Sequence, residues 1–248
     1  MPSSRCAGVD ARLKALAARP FAHRGLHGNG IVENSRAAFA AAIAAGQGIE
    51  LDVRASRDGE AMVFHDAGLG RLTGREGRVA RWNSAALARV RLAASAETIP
   101  GLGEILDFIA GRVPLLIELK AGRGAAARLC RAVAAALEAY QGPAGIMSFN
   151  PEAGRWFRRH EPSLPRGLVV SEGGGKSLAG RAGRAASLAR ARPHFLAYDI
   201  RDLPSPLALR FRLRRGPVFT WTVRGKGELR TARAHADQII HELGADGG

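Results

Sequence analysis

The sequence predicts an α/β protein, a closed (β/α)8 barrel that forms one domain over residues 1–248. Short apolar runs alternate with alanine-rich helical segments, eight such runs can be counted, and no linker or sustained change of composition divides the chain. Eight parallel strands with helices between them indicate a TIM barrel. A length of 248 residues is typical of one such barrel.

The predicted elements follow one another along the whole chain. Apolar runs predict strands at FAHR (21–24), IELDVR (49–54), LLIEL (115–119), GIMSF (145–149), GLVVS (167–171), FLAYD (195–199), VFTWT (218–222) and QIIHE (238–242). Helical periodicity predicts helices at about 35–45, 125–140, 151–159, 180–191, 205–214 and 226–235. Only a short tail follows the last strand, so we expect residues 1–19 to form an amphipathic helix over the bottom of the barrel.

One region departs from this simple alternation. Asp58 and Gly59 form a turn signal directly after the second strand, which predicts a β-hairpin before His65. The stretch of about 68–112 is too long for a plain loop. We expect it to be a small insertion on one rim of the barrel, with short helices at about 84–92 and 102–110.

The composition excludes several classes of protein. A hydrophobic fraction of 46% with 24% charged residues is typical of a globular chain with a large core. No apolar run reaches the roughly 18 residues that a membrane span needs. Cys6 and Cys130 have neither metal-type spacing nor a disulfide pattern, and residues 1–19 lack the apolar centre of a secretory signal. These features predict a cytoplasmic location.

The net charge of +15 does not by itself indicate a nucleic-acid partner. Lysine occurs at only four positions, so 33 of the 37 basic residues are arginine, and alanine is also very frequent. This bias is typical of a GC-rich coding sequence, and the arginines are scattered rather than gathered in one stripe. Because no nucleic-acid recognition motif is found, we expect a solvated basic surface and no nucleic-acid binding.

Acidic side chains stand at the ends of two predicted strands, where barrels of this type carry their catalytic groups. Glu50 and Asp52 are two residues apart, so both carboxylates point to the same side of the strand. Glu118 has the same spacing to Lys120 in the next barrel strand. Buried carboxylates are costly unless they are paired or bind a metal, so their convergence predicts one divalent cation. Oxygen ligands indicate Mg²⁺ or Ca²⁺ rather than zinc.

Basic and imidazole side chains stand at neighbouring strand ends. Arg24 and Lys120 would make a metal-bound site net positive, so the predicted ligand is an anion such as a phosphate diester. His23 and His65 are placed so that one could take a proton and the other give one, as displacement at phosphorus requires. The residues therefore predict a small phosphodiester as substrate.

Six ordered motifs resemble those of the glycerophosphodiester phosphodiesterase family. The family pattern is His-Arg-Gly, Glu-Asn-Thr, Glu-x-Asp-Val, Asp-Gly, His-Asp and Glu-x-Lys. This sequence has HRG, ENS, ELDV, RDG, FHDAGLGRLTG and IELK in the same order over residues 20–120, and WTV at 221–223 matches a late family motif. Six motifs in order are far more specific than any one of them.

The resemblance implies a metal-dependent phosphodiesterase that releases sn-glycerol 3-phosphate and an alcohol. It implies that the glycerol hydroxyl of the substrate attacks phosphorus and that water opens the resulting cyclic phosphate. The paired catalytic histidines fall on His23 and His65, with His23 preferred as base and His65 as acid for the leaving group. The metal carboxylates fall on Glu50, Asp52 and Glu118, and the substrate or phosphate contacts on Arg24, Lys120, Glu33, Asn34 and Trp221. Glu33 is also placed to favour the first turn of the next helix.

Some positions depart from the family pattern. Ser35 stands in place of threonine, and Val32 in place of the proline that precedes the motif. Arg224 follows Trp-Thr-Val where many relatives have asparagine, and HELGADGG replaces the usual Thr-Asp-Tyr-Pro-like ending. We expect these changes to affect the substrate rim, and therefore the identity of the leaving alcohol, rather than the chemistry.

Two other functions fit the same residues. A lysophospholipase D-type activity on a lipid phosphodiester is favoured if the insertion exposes an apolar lip. A non-catalytic barrel that binds anionic lipid would use the basic surface, so contact with a lipid surface stays open. The sequence leaves open the head group, the choice between Mg²⁺ and Ca²⁺, the oligomeric state and any regulation.

Overall fold

The computed structural model describes residues 4–93, 95–122, 124, 126–173 and 177–243. Eight parallel strands form a closed ring in chain order, and the first strand pairs with both the second and the last. They are β1 (Phe21–Ala22), β2 (Gly48–Ala55), β4 (Leu115–Leu119), β5 (Ala144–Ser148), β6 (Arg166–Val170), β7 (Phe195–Asp199), β8 (Val218–Val223) and β9 (Gln238–His241). The predicted (β/α)8 barrel is therefore confirmed.

Helices connect the strands and surround the ring. They are α1 (Ser4–Leu16), α2 (Arg36–Ala44), α3 (Gly70–Thr73), α4 (Ser84–Leu87), α5 (Leu102–Ile109), α6 (Ala126–Leu137), α7 (Pro151–His160), α8 (Leu178–Ala191), α9 (Pro206–Arg214) and α10 (Lys226–His235), with 3-10 turns at Val79–Arg81 and Ile200–Asp202. Within the described ranges, every helix is too short or too polar to cross a bilayer.

The barrel interior is filled by large apolar side chains. Phe21, Leu116, Phe195, Phe219 and Ile240 are fully buried there in one cluster. The rings of Phe195 and Phe219 stack with their centroids 4.8 Å apart. Burying each of these side chains contributes roughly 1.5–3 kcal/mol to stability. The interior below the strand ends is thus a solid core rather than a channel.

Strand alternation separates this interior from an outer layer. On β2, Ile49 and Leu51 point outward and pack in the cluster that includes Ile105 of α5 and Leu129 of α6. Gly48, at an inward position, leaves room for a neighbour, because a Cβ there would lie 2.7 Å from the ring of Phe21. Glu50 and Asp52 share the inward face of Gly48.

The N-terminal helix covers the amino-terminal end of the barrel. Leu13 and Leu16 of α1 are buried in the same cluster as Phe21. The side-chain amide of Gln238, at the start of β9, donates a hydrogen bond to the carbonyl of Ala17 at 2.8 Å. The segment therefore lies where the sequence predicts it, at the end of the barrel opposite the carboxyl ends of the strands.

The predicted hairpin follows β2. A short strand, β3 (Ala61–Val63), pairs antiparallel with β2, and Gly59 in the turn has a φ of 98°, which favours glycine. β3 leads into Phe64 and His65. Leu69, Leu87 and Ile99 of the insertion are fully buried and pack with Phe64. The insertion is therefore held by a small apolar core of its own.

The helices of the insertion differ from the prediction. α5 forms as expected, but α4 ends at Leu87 instead of continuing to about residue 92. The chain turns back there, and Arg91 forms an antiparallel bridge with Thr98. The short helix α3, which the periodicity did not predict, begins just after Leu69. Packing of the insertion core overrides helical periodicity in this segment.

Candidate active site

Three buried carboxylates lie together at the carboxyl end of the barrel strands. Asp52 of β2 is in register with Glu118 of β4, and Glu50 lies two residues earlier on the same inward face. Glu50 and Asp52 are fully buried, and Glu118 is 6% exposed. One oxygen of each carboxylate lies within 4.8 Å of the others. The structure thus brings together all three residues that the sequence predicts as metal ligands.

The oxygens of this carboxylate cluster have few hydrogen-bond donors. Among the described residues, none donates to Glu50 Oε1, and the ammonium of Lys120 is the cation beside Asp52 Oδ1 and Glu118 Oε1. Burial, with repulsion from the other two carboxylates, raises the pKa of Glu50 well above its usual value. Burial also raises the pKa of Glu118, although Lys120 acts in the opposite direction. Three convergent buried carboxylates, one of them with an unpaired oxygen, fit a hard divalent ion such as Mg²⁺ or Ca²⁺.

Two cations flank the carboxylate cluster. Lys120 Nζ lies 3.0 Å from Asp52 Oδ1 and 2.6 Å from Glu118 Oε1. Arg24 Nε lies 3.1 Å from Asp52 Oδ2, and the backbone N–H of Arg24 donates to Glu50 Oε2 at 3.0 Å. Burial alone would raise the pKa of Asp52, but the charges of Lys120 and Arg24 outweigh it and lower that pKa. Asp52 is therefore an anion.

The Glu-Asn-Ser motif, residues 33–35, supports Arg24 and Asp52 through hydrogen bonds. Asn34 donates from Nδ2 to Asp52 Oδ2 at 3.0 Å and accepts the Asp52 backbone N–H at 3.2 Å. Glu33 accepts a hydrogen bond from Arg24 at 2.8 Å, and Ser35 caps α2 by accepting the N–H of Ala38. Asn34 is 1% exposed. The structure thus places Glu33 and Asn34 against Arg24 and Asp52 rather than at the cavity surface.

His23 follows β1 and is buried in the barrel wall. Its Nδ1 lies 2.6 Å from Glu242 Oε1, and its Nε2 lies 4.0 Å from Glu50 Oε2. The hydrogen bond with His23, together with one from Arg224, lowers the pKa of Glu242 to about 2. An anionic acceptor on Nδ1 places a proton there and leaves Nε2 as the nitrogen available for proton transfer.

His65 follows β3 and is half-buried. Its Nδ1 lies 2.7 Å from Asp66 Oδ1, so it has the same kind of carboxylate partner as His23. Burial lowers the pKa of His65, and the nearby charge of Lys120 acts in the same direction. Burial outweighs the opposite effect of Asp52, so the lowered pKa favours the neutral ring in the ligand-free protein, and Nε2 is the nitrogen left for chemistry.

One cavity of about 300 Å³ joins these groups. Both histidines line it, with Arg24, Glu118 and Lys120 on the same side. The other side is formed by residues at or after the ends of β5, β7 and β8, which are Phe149, Asp199, Ile200, Arg201, Trp221, Thr222, Arg224 and Glu228. Two cations, both imidazoles and Glu118 of the carboxylate cluster thus face one space large enough for a small phosphodiester.

Two aromatic rings form the outer wall of the cavity. Phe149 packs against Trp221 edge to face, with centroids 5.7 Å apart. The indole N–H of Trp221 donates to the carbonyl of Ala197 at 2.9 Å, so Trp221 offers a ligand its ring rather than its donor. Phe149 is 49% exposed. This wall is the apolar part of the cavity.

Sequence reasoning missed the groups that hold the two histidines. Glu242 belongs to the last predicted strand, but no role was predicted for it. Side chains two residues apart on a strand point to the same side, so Glu242 shares the inward face of Ile240. Asp66 is part of the His-Asp motif, but adjacency in sequence did not show that it binds His65. Arg71 bonds both Asp66 and Glu33, and no local signal indicated this.

The curated relatives match part of the chain. It is 38% identical over 107 residues to a glycerophosphodiester phosphodiesterase of Bacillus altitudinis, a match that covers 40% of this chain and 43% of the relative. It is 32% identical over 165 residues to a glycerophosphodiester phosphodiesterase of Caldanaerobacter subterraneus subsp. tengcongensis, covering 62% of this chain and 67% of the relative. The matched part of the chain thus spans less than half the length of the Bacillus relative.

Solved structures and the family profile cover nearly the whole chain. An Oleispira antarctica phosphodiesterase, solved in complex with the product sn-glycerol-3-phosphate, superposes with a TM-score of 0.81 and 24% identity over 94% of this chain and 96% of that one. At this identity the likeness concerns the fold. The sequence profile of the glycerophosphoryl diester phosphodiesterase family matches residues 23–247. The chain therefore belongs to the glycerophosphoryl diester phosphodiesterase family, as its motifs predict.

Proposed function

We propose that the protein hydrolyses glycerophosphodiesters to sn-glycerol 3-phosphate and an alcohol, with one bound divalent cation. The observation that carries this proposal is the buried carboxylate cluster of Glu50, Asp52 and Glu118, in which Glu50 Oε1 has no donor among the described residues, beside two histidines that line one cavity. Family membership supports the reaction class. The product bound to the Oleispira antarctica enzyme supports the choice of substrate.

The charges of the site suit a phosphodiester anion. With all three carboxylates ionised, the cluster would carry three negative charges against the two positive charges of Arg24 and Lys120, and a divalent cation would reverse the sign of the site. A cation bound to Glu50, Asp52 and Glu118 would polarise a phosphoryl oxygen and offset the charge that develops there. Arg24 and Lys120, both at the cavity surface, would orient the phosphate through charge-assisted hydrogen bonds.

The first step forms a cyclic phosphate. His23 Nε2 takes the proton of the neighbouring glycerol hydroxyl as that oxygen bonds to phosphorus. The bond between phosphorus and the alcohol oxygen breaks, and His65 Nε2 supplies the proton that the departing alkoxide needs. Glu242 and Asp66 stay ionised on the two Nδ1 atoms and stabilise whichever ring is charged.

In the second step, water opens the cyclic phosphate and the two histidines exchange their acid and base roles. His65 Nε2 takes a proton from water as the water oxygen bonds to phosphorus. The ring bond between phosphorus and the internal glycerol oxygen breaks, and His23 Nε2 returns its proton to that oxygen. One water is consumed, both imidazoles regain their starting states, and the products are sn-glycerol 3-phosphate and the alcohol.

The acid role of His65 requires a protonated ring at the start. Burial keeps the pKa of His65 low in the ligand-free protein. The negative charge of a bound phosphodiester acts in the opposite direction, because an anion beside an imidazole favours its charged form. Substrate binding therefore charges the ring in the proposed sequence, and product release returns it to the neutral form.

Release of glycerol 3-phosphate from glycerophosphocholine tests the proposal. We expect activity in wild type, its loss in EDTA, and its return on addition of Mg²⁺ or Ca²⁺. His23→Ala should abolish turnover, whereas His160→Ala, at the exposed end of α7, should not. Full activity in EDTA would contradict the cation, and full activity of His23→Ala would contradict the histidine mechanism. A barrel that only binds anions would show no turnover in any of these samples.

Hydrolysis of a lysophospholipid is a second candidate, and the exposed ring of Phe149 favours it. Phe149 gives the cavity mouth an apolar surface on which an acyl chain could lie. The insertion does not supply the apolar lip considered above. In the described part of residues 68–112 the large apolar side chains are at least half-buried. A preference for lysophosphatidylcholine over glycerophosphocholine would support this candidate.

The cytoplasmic location is still a prediction from the sequence. The oligomeric state is still open.

A further inference from the structure

Each histidine of the cavity has an arginine behind its carboxylate partner. On one side, Arg224 donates from Nε to Glu242 Oε2 at 2.7 Å, and Glu242 binds His23. On the other side, Arg71 donates from Nε to Asp66 Oδ2 at 2.5 Å, and Asp66 binds His65. Two chains of contact, arginine to carboxylate to imidazole, therefore end at the same cavity.

The first chain, Arg224–Glu242–His23, comes from the part of the sequence that departs from the family pattern. Arg224 follows β8 and Glu242 follows β9, and a second contact from Arg224 reaches Glu242 Oε1 at 3.2 Å. Both oxygens of Glu242 are thus held by one guanidinium fork, a geometry in which lysine cannot fully replace arginine. The two departures are in direct contact with each other, so they form one unit behind His23.

The second chain, Arg71–Asp66–His65, reaches further across the site. Besides Asp66, Arg71 donates to both oxygens of Glu33, at 2.9 and 2.8 Å. Glu33 in turn accepts from Arg24, one of the two cations that face the cavity. Arg71 lies on α3. The insertion on the rim therefore contributes a residue that hydrogen-bonds both Asp66, the partner of His65, and Glu33, the partner of Arg24.

A carboxylate on Nδ1 fixes the tautomer and the direction of a histidine ring only if the carboxylate itself is held in place. The side chains of Glu242 and Asp66 are about one quarter exposed, at 24% and 25%, so packing alone does not hold them. We propose that Arg71 and Arg224 are positioning residues that orient His65 and His23 through Asp66 and Glu242. This inference rests on the proposed function for its kinetic consequences but not for its structural ones.

The two arginines should differ in their kinetic effects. Loss of Arg224 releases Glu242 and His23 alone, so kcat should fall about 10- to 100-fold with little change in KM. Loss of Arg71 releases His65 and also frees Glu33 from one of its two partners, so kcat should fall and KM should rise as Arg24 loses its orientation. Arg224 lines the cavity, and a role in binding substrate directly would instead raise KM and leave kcat unchanged.

The test compares Arg71→Ala and Arg224→Ala in the full chain, with Arg214→Ala on the exposed face of α9 as a matched control. Steady-state kinetics use glycerophosphocholine. ¹⁵N-labelled histidine and NMR of the ring N–H protons report the tautomer and hydrogen bonding of each imidazole without substrate. We expect Arg224→Ala to lose the Nδ1–H signal of His23 and keep that of His65, and Arg71→Ala to show the reverse. Arg224→Lys should keep more of the wild-type kcat than Arg224→Ala does.

Both possible failures can be told apart. If wild type shows no turnover, the proposed function fails, and if His23→Ala and His65→Ala keep full turnover, its histidine mechanism fails; in both cases the NMR signals still decide whether the arginines orient the rings. If those variants are inactive but both arginine variants keep wild-type kcat and both Nδ1–H signals, the positioning roles are overturned. Loss of both signals in either single variant would also overturn them, because it would show a general disturbance of the fold rather than one arginine for each ring.

Discussion

The two sides of the cavity differ in how firmly their side chains are held. On the side of β2 and β4, the carboxylate of Asp52 has Lys120, Arg24 and Asn34 within 3.1 Å. On the side of β7 and β8, the side chain of Arg201 is 76% exposed and bonds its near neighbour in sequence. The first side is a closed network of charges, and the second is an open rim.

This difference separates the reaction from recognition of the leaving alcohol. On the closed side, Lys120 and Arg24 offset the buried charge of Asp52, so removing either cation leaves that carboxylate less compensated. On the open side, Arg201, Phe149 and Arg224 contact solvent and can change with less effect on stability. The departure at Arg224 lies on that side but also affects turnover, because Arg224 supports His23 through Glu242. Apart from Arg224, we expect the closed side to determine whether turnover occurs and the open side to determine which diester is used.

The largest effect should come from breaking the closed side. Glu50→Gln replaces one carboxylate ligand of the proposed cation by an uncharged amide of the same size. Release of glycerol 3-phosphate should therefore fall on the order of 10³-fold. Glu60→Gln, on the exposed hairpin turn, is the matched control and should keep its activity. An active Glu50→Gln enzyme would remove the distinction between the two sides.

A smaller loss should distinguish the two histidines within the site. His65→Ala should lower hydrolysis of glycerophosphocholine about 10²- to 10⁴-fold, because the departing alkoxide then lacks its proton. With the p-nitrophenyl ester of glycerol 3-phosphate, whose leaving group needs no proton, most of this loss should disappear from the first-turnover release of p-nitrophenol, because His65 acts as a base only in the second step. If His23→Ala, and not His65→Ala, recovers with the activated ester, the acid and base roles are reversed.

Changes on the open side should affect substrate choice. Phe149→Ala should raise KM for lysophosphatidylcholine about tenfold, because an apolar contact at the mouth is lost, and should change KM for glycerophosphocholine less. Leu178→Ala, an exposed apolar residue at the start of α8, serves as control. Equal effects of both variants would show that Phe149 has no particular contact with substrate.

The smallest effect concerns stability without metal. The pKa of Glu50 in the folded protein lies well above its usual value of 4.5, so its favourable contribution is present below that value and is lost as pH rises toward the folded pKa. Glutamine does not ionise. In EDTA, denaturant unfolding between about pH 5 and pH 8 should therefore show a smaller loss of stability for Glu50→Gln than for wild type. An identical pH dependence would contradict the burial and repulsion that raise this pKa.

The sequence by itself determined the barrel and the core of the site. Alternation with a period of two residues is a local steric property, so Glu50 and Asp52 could be placed on one face before any contact was known. The same reasoning extended to Glu118 and Lys120 on the next barrel strand, and the ordered motifs identified the family. Each of these inferences uses residues close together in sequence or a pattern that repeats along the chain.

Only the tertiary structure decided which residues support that core. His23 meets Glu242 across 219 positions of sequence, and Arg71 meets Glu33 across 38. The first contact exists because the last strand closes the ring against β1, and the second because the insertion packs its own small core and brings α3 to the rim. Such contacts depend on ring closure and on the paths of loops, which no local periodicity of the chain encodes.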